Sequence, residues 1–171
     1  MYSKSKVACI SALVLFLVLI FGCTSPVSDK NAFDSLASLE EKYFAVDSLP
    51  TSTIKLNDYV TDLSILVGKT SGSSKKVIEA ELYSAQTLLY LNKALQTSNE
   101  IDFQKMKCSS TEVRSAINSI KLALDSEAKA VAKISSLSVD EGSHLRTGQI
   151  ETIKGFGDKA SQLQNFFDTK C

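Results

Sequence analysis

Apolar residues recur at intervals of three and four positions along most of the chain beyond residue 28, a spacing typical of amphipathic α-helices. Breaks fall at Pro50 and in the glycine- and serine-rich stretch 68–74. The pattern predicts five helices, at about residues 29–47, 53–67, 75–97, 109–134 and 138–169. We therefore predict an all-α fold, an up-and-down bundle of about five helices.

The last two predicted helices carry the clearest signals. Ser109 to Glu112 and Ser138 to Glu141 both read S-x-x-E, the pattern of a capping box at a helix start. Their long apolar stripes predict an antiparallel hairpin with a very short turn near Leu137. Gly155 and Gly157 interrupt the final helix, where each costs about 1 kcal/mol relative to alanine. We interpret them as points of close packing or a mild kink; the alternative is a hinge or a partner contact.

The N-terminal segment has the three parts of a signal peptide. Two lysines precede an apolar stretch over residues 7–21, which suits a signal peptide and is short for a membrane span of about 20 residues. The end of this stretch resembles the lipobox of prokaryotic lipoproteins in the residues Leu19-Ile20-Phe21-Gly22-Cys23. Phe21 departs from the usual pattern, which has a smaller or β-branched residue there. The alternative is an uncleaved anchor helix with an incidental cysteine.

The lipobox resemblance implies an address and a domain organisation. Residues 1–22 would be removed, Cys23 would carry the lipid, residues 23–30 would form a short tether, and residues 31–171 would form the bundle domain. Two acyl chains are sufficient for stable anchoring. The tether spans only about 15 Å on average. We therefore expect a domain held close to the extracytoplasmic side of the cell membrane or outer membrane, with the membrane itself as one partner.

The cysteines fit an oxidising compartment. Cys9 would leave with the signal peptide and Cys23 would take the lipid, so Cys108 and Cys171 remain. The predicted hairpin brings the start of one helix beside the end of the next, and therefore brings these two thiols to the same pole. A disulfide between them would close a loop of about 60 residues and contribute roughly 4 kcal/mol. The alternatives are two free thiols or an intermolecular bond through Cys171.

Charge and motifs give little sign of chemistry. Removing residues 1–22 leaves 149 residues with 17 basic and 19 acidic side chains, which does not favour a nucleic-acid partner. His144, the only histidine, lies within one helical turn of Asp140 and Glu141, but carboxylates are expected at a helix start. Other carboxylates are interpreted as dispersed on solvent faces, among them Glu40, Glu41, Glu79 and Glu81. We predict no catalytic residue, no cofactor and no metal site.

These observations favour a non-enzymatic function at the cell envelope. The leading hypothesis is a scaffold or protein-interaction module that presents a helix face or groove to another envelope protein. The alternative is a ligand-binding lipoprotein that holds a small or apolar molecule between its helices. A third hypothesis is an enzyme built on dispersed residues that no motif reveals. An apolar pocket between helices would favour the ligand carrier over the scaffold.

Overall fold

The described part of the chain is helical, and the predicted all-α bundle is confirmed. The computed structural model describes residues 28–44 and 52–171, so the predicted signal peptide, Cys23 and most of the tether lie outside the described residues. Within this part, no helix is long and apolar enough to span a membrane. The helices are α1 (Asp29–Tyr43), α2 (Thr53–Lys69), α3 (Gly72–Asn99), α4 (Thr111–Ser135), α5 (Val139–Gly142) and α6 (Gln149–Lys170).

Helix α3 is the central element of the bundle. Its 28 residues span about 42 Å, and it contacts every other helix of the described chain. The first half of α3 packs with α1 and α2 around Tyr59 and Leu63, and the second half packs with α4 and α6 around Ile120 and Phe167. A small cluster joins the two core regions, made of Leu56, Leu88 and Leu89. A helix covered on several sides must be apolar around much of its circumference, and α3 is.

Polar contacts hold α1 on the bundle. Asp29, at its start, accepts a hydrogen bond from the backbone N–H of Ser74 at 3.3 Å. Near its end, Lys42 and Tyr43 both donate to Asp62 of α2, at 2.9 and 2.8 Å. Between these ends Ala32 and Leu36 are buried. Helix α1 begins at Asp29, two residues inside the predicted tether.

The prediction of one continuous final helix from Ser138 is wrong. The capping box of Ser138 and Glu141 is present, but helix α5 ends at Gly142. Gly148 then has a φ of 72° and precedes the first residue of α6. Only glycine adopts this left-handed conformation without a steric penalty, and a right-handed helix cannot continue through it. The connection from α4 to α6 therefore spans residues 136–148, and the predicted very short turn near Leu137 is also wrong.

The capping box predicted at Ser109 is wrong by one residue. The N-cap of α4 is Ser110, whose Oγ accepts from the backbone N–H of Val113 at 3.3 Å. The residue three positions after this cap is thus Val113, so Glu112 is not in the position that closes a capping box.

The start of α4 and the end of α6 meet at one pole of the bundle. The Sγ atoms of Cys108 and Cys171 lie 2.16 Å apart, at disulfide distance, and their Cα atoms are 5.5 Å apart. Helix α4 packs against both α3 and α6. The antiparallel arrangement of α4 and α6 therefore brings Cys108 and Cys171 to the same pole, as the predicted hairpin required.

Helix α6 passes through both of its glycines without interruption. A Cβ atom added to Gly157 would lie 2.8 Å from Cγ of Glu127, whereas one added to Gly155 would meet nothing within 4 Å. The interpretation as a close-packing point is therefore confirmed at Gly157 and wrong at Gly155.

This contrast predicts different outcomes for two matched substitutions. Gly155→Ala should raise the free energy of unfolding by about 0.5–1 kcal/mol, because alanine restricts the unfolded chain and fits the open site. Gly157→Ala should gain less or lose stability, because the Glu127 side chain must move. Urea unfolding measures both. Adding Glu127→Ala should restore the gain at Gly157; an equal gain in the two single variants would contradict the packing assignment.

Candidate functional site

A carboxylate is wholly buried in the middle of α3. The Glu81 side chain has no exposed surface, so its assignment to a solvent face is wrong. Glu81 follows Ile78 by three residues and precedes Ala85 by four, and both of these are buried. Helical spacing therefore places Glu81 within the apolar stripe of α3, not opposite it.

Three donors from outside α3 satisfy this carboxylate. The Tyr59 hydroxyl of α2 and Nη2 of Arg146 each donate to Oε1 of Glu81, both at 2.9 Å. The Gln149 side-chain amide donates to Oε2 of Glu81 and, at 3.0 Å, to Oγ of Ser84. We call Tyr59, Glu81, Ser84, Arg146 and Gln149 the Glu81 network. It joins α2 and α3 to the turn before α6 and to the first residue of α6.

The turn before α6 brings Arg146 and Gln149, the first residue of α6, to the same side of the chain, facing Glu81. The backbone N–H of Arg146 donates to Oε1 of Gln149 at 3.2 Å, so the turn and the first residue of α6 hold each other. The left-handed Gly148 makes this close return of the chain possible. On its other side, the Arg146 guanidinium lies 4.5 Å from the ring centre of Phe44, within range of a cation–π contact.

Burial and charge shift the pKa values of the neighbouring groups. Burial and, to a smaller extent, the nearby carboxylate of Glu81 together raise the pKa of Glu40 on α1 to about 7, against the opposing charge of Arg146. Burial also raises the pKa of Tyr59, and the charge of the Glu81 carboxylate raises it too. The phenol therefore stays protonated and donates its hydrogen bond. Near neutral pH, Glu40 is therefore a group whose charge changes beside a paired Glu81 and Arg146.

A partly enclosed cavity of about 210 Å³ lies against the Glu81 network, where the two core regions meet. Its apolar wall is formed by Leu56, Leu88, Ile153 and Phe156, and all five members of the Glu81 network also line it. Ligand sites typically combine an apolar lining with a few placed polar groups. The arrangement suits binding of a small molecule with one polar end.

One buried donor of a residue beside the cavity has no partner. Among the described residues, Arg146 Nε is buried and makes no hydrogen bond, as is also true of Thr53 Oγ1, which is not part of the cavity lining. A buried donor left unpaired costs about 1–3 kcal/mol. This N–H group is sealed within the packing around the cavity and is not part of its open surface.

The residues that the sequence singled out as candidates have separate contacts. The ring of His144 stacks on Phe33 at 3.7 Å, while Glu141 caps α5 and accepts from Lys76 at 3.3 Å. The Ser138 backbone N–H, donating to Glu141, is the main cause that lowers the pKa of this carboxyl to about 2. Glu79 is paired with Lys133. Within the described residues, no three or more histidine, cysteine or acidic side chains form a group suited to a metal ion.

Arg146 and Gln149 were missed as site residues. Their spacing of three positions is a weak signal, because their partner Glu81 lies 65 and 68 positions earlier in the chain. The stronger signal is Glu81 itself, which stands in register with the apolar positions of α3 and therefore requires buried partners.

No protein-family model matches this chain, and neither a curated protein nor a solved structure matches it.

The raised pKa of Glu40 predicts a pH-dependent stability. The ordinary pKa of a glutamate is 4.5 and that of folded Glu40 is about 7, so the folded protein binds this proton more tightly than the unfolded chain. The tighter proton binding by Glu40 stabilises the folded protein most below about pH 4.5. This stabilisation is lost as the pH rises through about 7, because the buried carboxyl then ionises. Glu40→Gln should therefore be more stable relative to the wild type at about pH 8 than at about pH 5.

Urea unfolding at these two pH values measures the difference. Glu41→Gln is the matched control, because Glu41 is the exposed neighbour on the same helix. An equal pH response of wild type and Glu40→Gln would show that Glu40 does not take up a proton on folding.

Proposed function

We propose that the chain is a membrane-anchored cell-envelope lipoprotein whose helical domain binds a small molecule between its helices and catalyses no reaction. The observation that carries the proposal is the cavity beside the Glu81 network. Its lining comes from α2, α3, α6, the turn before α6 and Phe44 after α1, so a molecule held there would contact three of the described helices.

The Glu81 network supports this proposal by fixing the polar end of the cavity. Because Glu81 is fully buried, its hydrogen bonds to Tyr59, Arg146 and Gln149 order the polar end of the cavity without a ligand. A site that is already ordered avoids the entropy cost of arranging its groups on binding. The cavity is therefore suited to recognition by shape and one polar contact.

The lipobox supports the location. A lipid on Cys23 would hold the domain close to the outer side of a membrane, because α1 begins only six residues later. A binding domain in this position would meet molecules outside the cytoplasm or at the membrane surface.

Processing at Cys23 is testable by intact mass. The protein extracted from membranes should have the mass of the chain from Cys23 to Cys171 plus lipid, and Cys23→Ala should retain residues 1–22, since the thiol must be acylated before cleavage. A Cys23→Ala protein cleaved at the same site would contradict the lipobox assignment. Cys9→Ala is the matched control and should be processed normally.

The cavity predicts a molecule that co-purifies with the protein. Ala85 lines the cavity and is 6% exposed, so Ala85→Leu should fill part of the space and reduce the bound molecule by about tenfold. The full-length protein is extracted, and the released small molecules are quantified by mass spectrometry. Ala132→Leu adds the same atoms to an exposed position of α4 and should retain the molecule. Equal amounts in both variants would contradict binding in the cavity.

A scaffold for another envelope protein is the second candidate. It is favoured by an open groove between α1 and α2, where Leu39 and Ile65 lie between Asp34, Asp62 and Lys69. Ile65 is 51% exposed and therefore offers an apolar contact within this groove. A photo-crosslinker at Ile65 should capture one defined envelope protein in cells if this groove is a docking surface; the absence of a defined partner would reject it.

A further inference from the structure

We propose that one pole of the bundle rests on the membrane surface, with Val139 at the lipid interface and the neighbouring lysines facing anionic headgroups. This pole, which we call the α1 pole, combines the start of α1, the end of α2, the start of α3 and helix α5. The inference rests on the proposed lipid anchor at Cys23. It goes beyond that proposal by assigning the surface of the domain that meets the bilayer.

Direct contacts bring the four elements of the α1 pole together. Asp29, the first residue of α1, accepts a hydrogen bond from the backbone N–H of Ser74 in the first turn of α3. Only two residues separate the end of α2 from the start of α3. Glu141 of α5 accepts from Lys76 of α3 at 3.3 Å. The α1 pole is therefore one connected surface.

The length of chain between the proposed anchor and α1 restricts how the domain can stand. Five residues lie between Cys23 and Asp29, so this connection spans at most about 20 Å even when fully extended. Helix α3 runs from the α1 pole to Asn99, about 42 Å away. The bundle therefore cannot stand on the opposite pole, near Cys108 and Cys171. It can stand on the α1 pole or lie on the side formed by α1.

The charge of the α1 pole suits an anionic surface. Three exposed lysines of this pole form no salt bridge within the described residues: Lys30, Lys69 and Lys75. Asp29 and Asp140 offset two of these charges, and the pair of Lys76 with Glu141 is neutral. Among these side chains, three lysines against two aspartates leave a positive balance at the pole.

The outward side of α1 also lies within reach of the connection, but its charge has the opposite sign. Its exposed residues Asp34 and Glu41 share one face of the helix with Ala37, at spacings of three and four. Lys42, exposed near the end of α1, is already paired with Asp62 at 2.9 Å. Anionic headgroups attract lysines and repel carboxylates. Charge therefore favours a bundle that stands on the α1 pole over one that lies on α1.

Val139 gives the α1 pole an apolar point of contact. It is the first residue of α5 and is 91% exposed. The capping box of Ser138 and Glu141 and the pairing of Glu141 with Lys76 hold this short helix in place. Contact of the pole with a bilayer would remove the Val139 side chain from water, which is favourable for an apolar group.

The orientation is testable because the chain contains no tryptophan, so one introduced tryptophan reports lipid contact without background. Val139→Trp labels the α1 pole, Ala37→Trp the outward side of α1, and Phe103→Trp the region after α3 near the opposite pole. Each full-length lipidated protein is reconstituted in vesicles of phosphatidylcholine and phosphatidylglycerol, and quenching by a spin label on the lipid headgroups is measured.

Quenching should be severalfold stronger for Val139→Trp than for the other two variants. Equal or stronger quenching of Ala37→Trp would show that the bundle lies on α1, and equal or stronger quenching of Phe103→Trp would place the opposite pole at the membrane. Either result would overturn the proposal.

Neutral substitutions test the role of charge in the same assay. In the Val139→Trp protein, Lys69→Gln together with Lys75→Gln should lower the ratio of membrane-bound to free pole by about tenfold. Omission of phosphatidylglycerol should also weaken the quenching. Lys105→Gln together with Lys107→Gln, in the exposed segment after α3, is the matched control and should leave the quenching unchanged. Equal quenching with and without phosphatidylglycerol would overturn the contact with anionic headgroups.

The failure of this inference is distinguishable from the failure of the proposed anchor. If intact mass shows lipid on Cys23 but Val139→Trp is not quenched, the orientation is wrong and the anchor stands. If Cys23 carries no lipid, the anchor is wrong and this inference is wrong with it. Binding of a molecule in the cavity is tested separately by Ala85→Leu.

Discussion

The bundle depends on the pairing of one buried carboxylate. Glu81 is in the middle of the central helix, within the apolar stripe, and has no contact with solvent. A buried charge is tolerated only when paired and hydrogen-bonded, and here Tyr59, Arg146 and Gln149 meet that requirement. Because these donors belong to α2 and to the chain around the start of α6, their positions relative to α3 are fixed together. Apolar packing alone does not impose so narrow a geometry.

The same residues form the polar end of the cavity, so the stability of the fold and the shape of the site are coupled. A ligand that drew Arg146 away from Glu81 would leave the buried carboxylate without its countercharge, which is strongly unfavourable. A ligand is therefore accommodated beside the ion pair and does not replace one of its members.

Periodicity was sufficient to predict the helices, because each element long enough to bury a stripe repeats apolar residues every three or four positions. It also placed Cys108 and Cys171 at one pole, since that inference needed only an antiparallel hairpin. It failed between Ser138 and Gln149, where α5 ends at Gly142 and the left-handed Gly148 precedes the start of α6. The spacing of apolar residues carries no information on the φ angle of a single glycine, so it could not predict this break.

The site was harder to predict than the fold, for a physical reason. Glu81 and Glu79 are only two residues apart, yet one is fully buried and the other is paired with Lys133 at the edge of the bundle. Treating both as solvent-facing carboxylates ignored the helical register, which points them in different directions. The register predicts the burial of Glu81 but not its partners, because Arg146 and Gln149 are brought to it by tertiary structure.

Helix α1 connects the predicted anchor to the site. It carries Glu40 along its length, and Phe44 directly after it covers the Arg146 guanidinium. The contact of Asp29 with Ser74 holds its start, and the contacts of Lys42 and Tyr43 with Asp62 hold its end. The disulfide lies elsewhere, between the start of α4 and the end of α6. The polar end of the cavity therefore depends on the non-covalent seating of the helix nearest to Cys23, because displacement of α1 would remove both Phe44 and Glu40 from the side of Arg146.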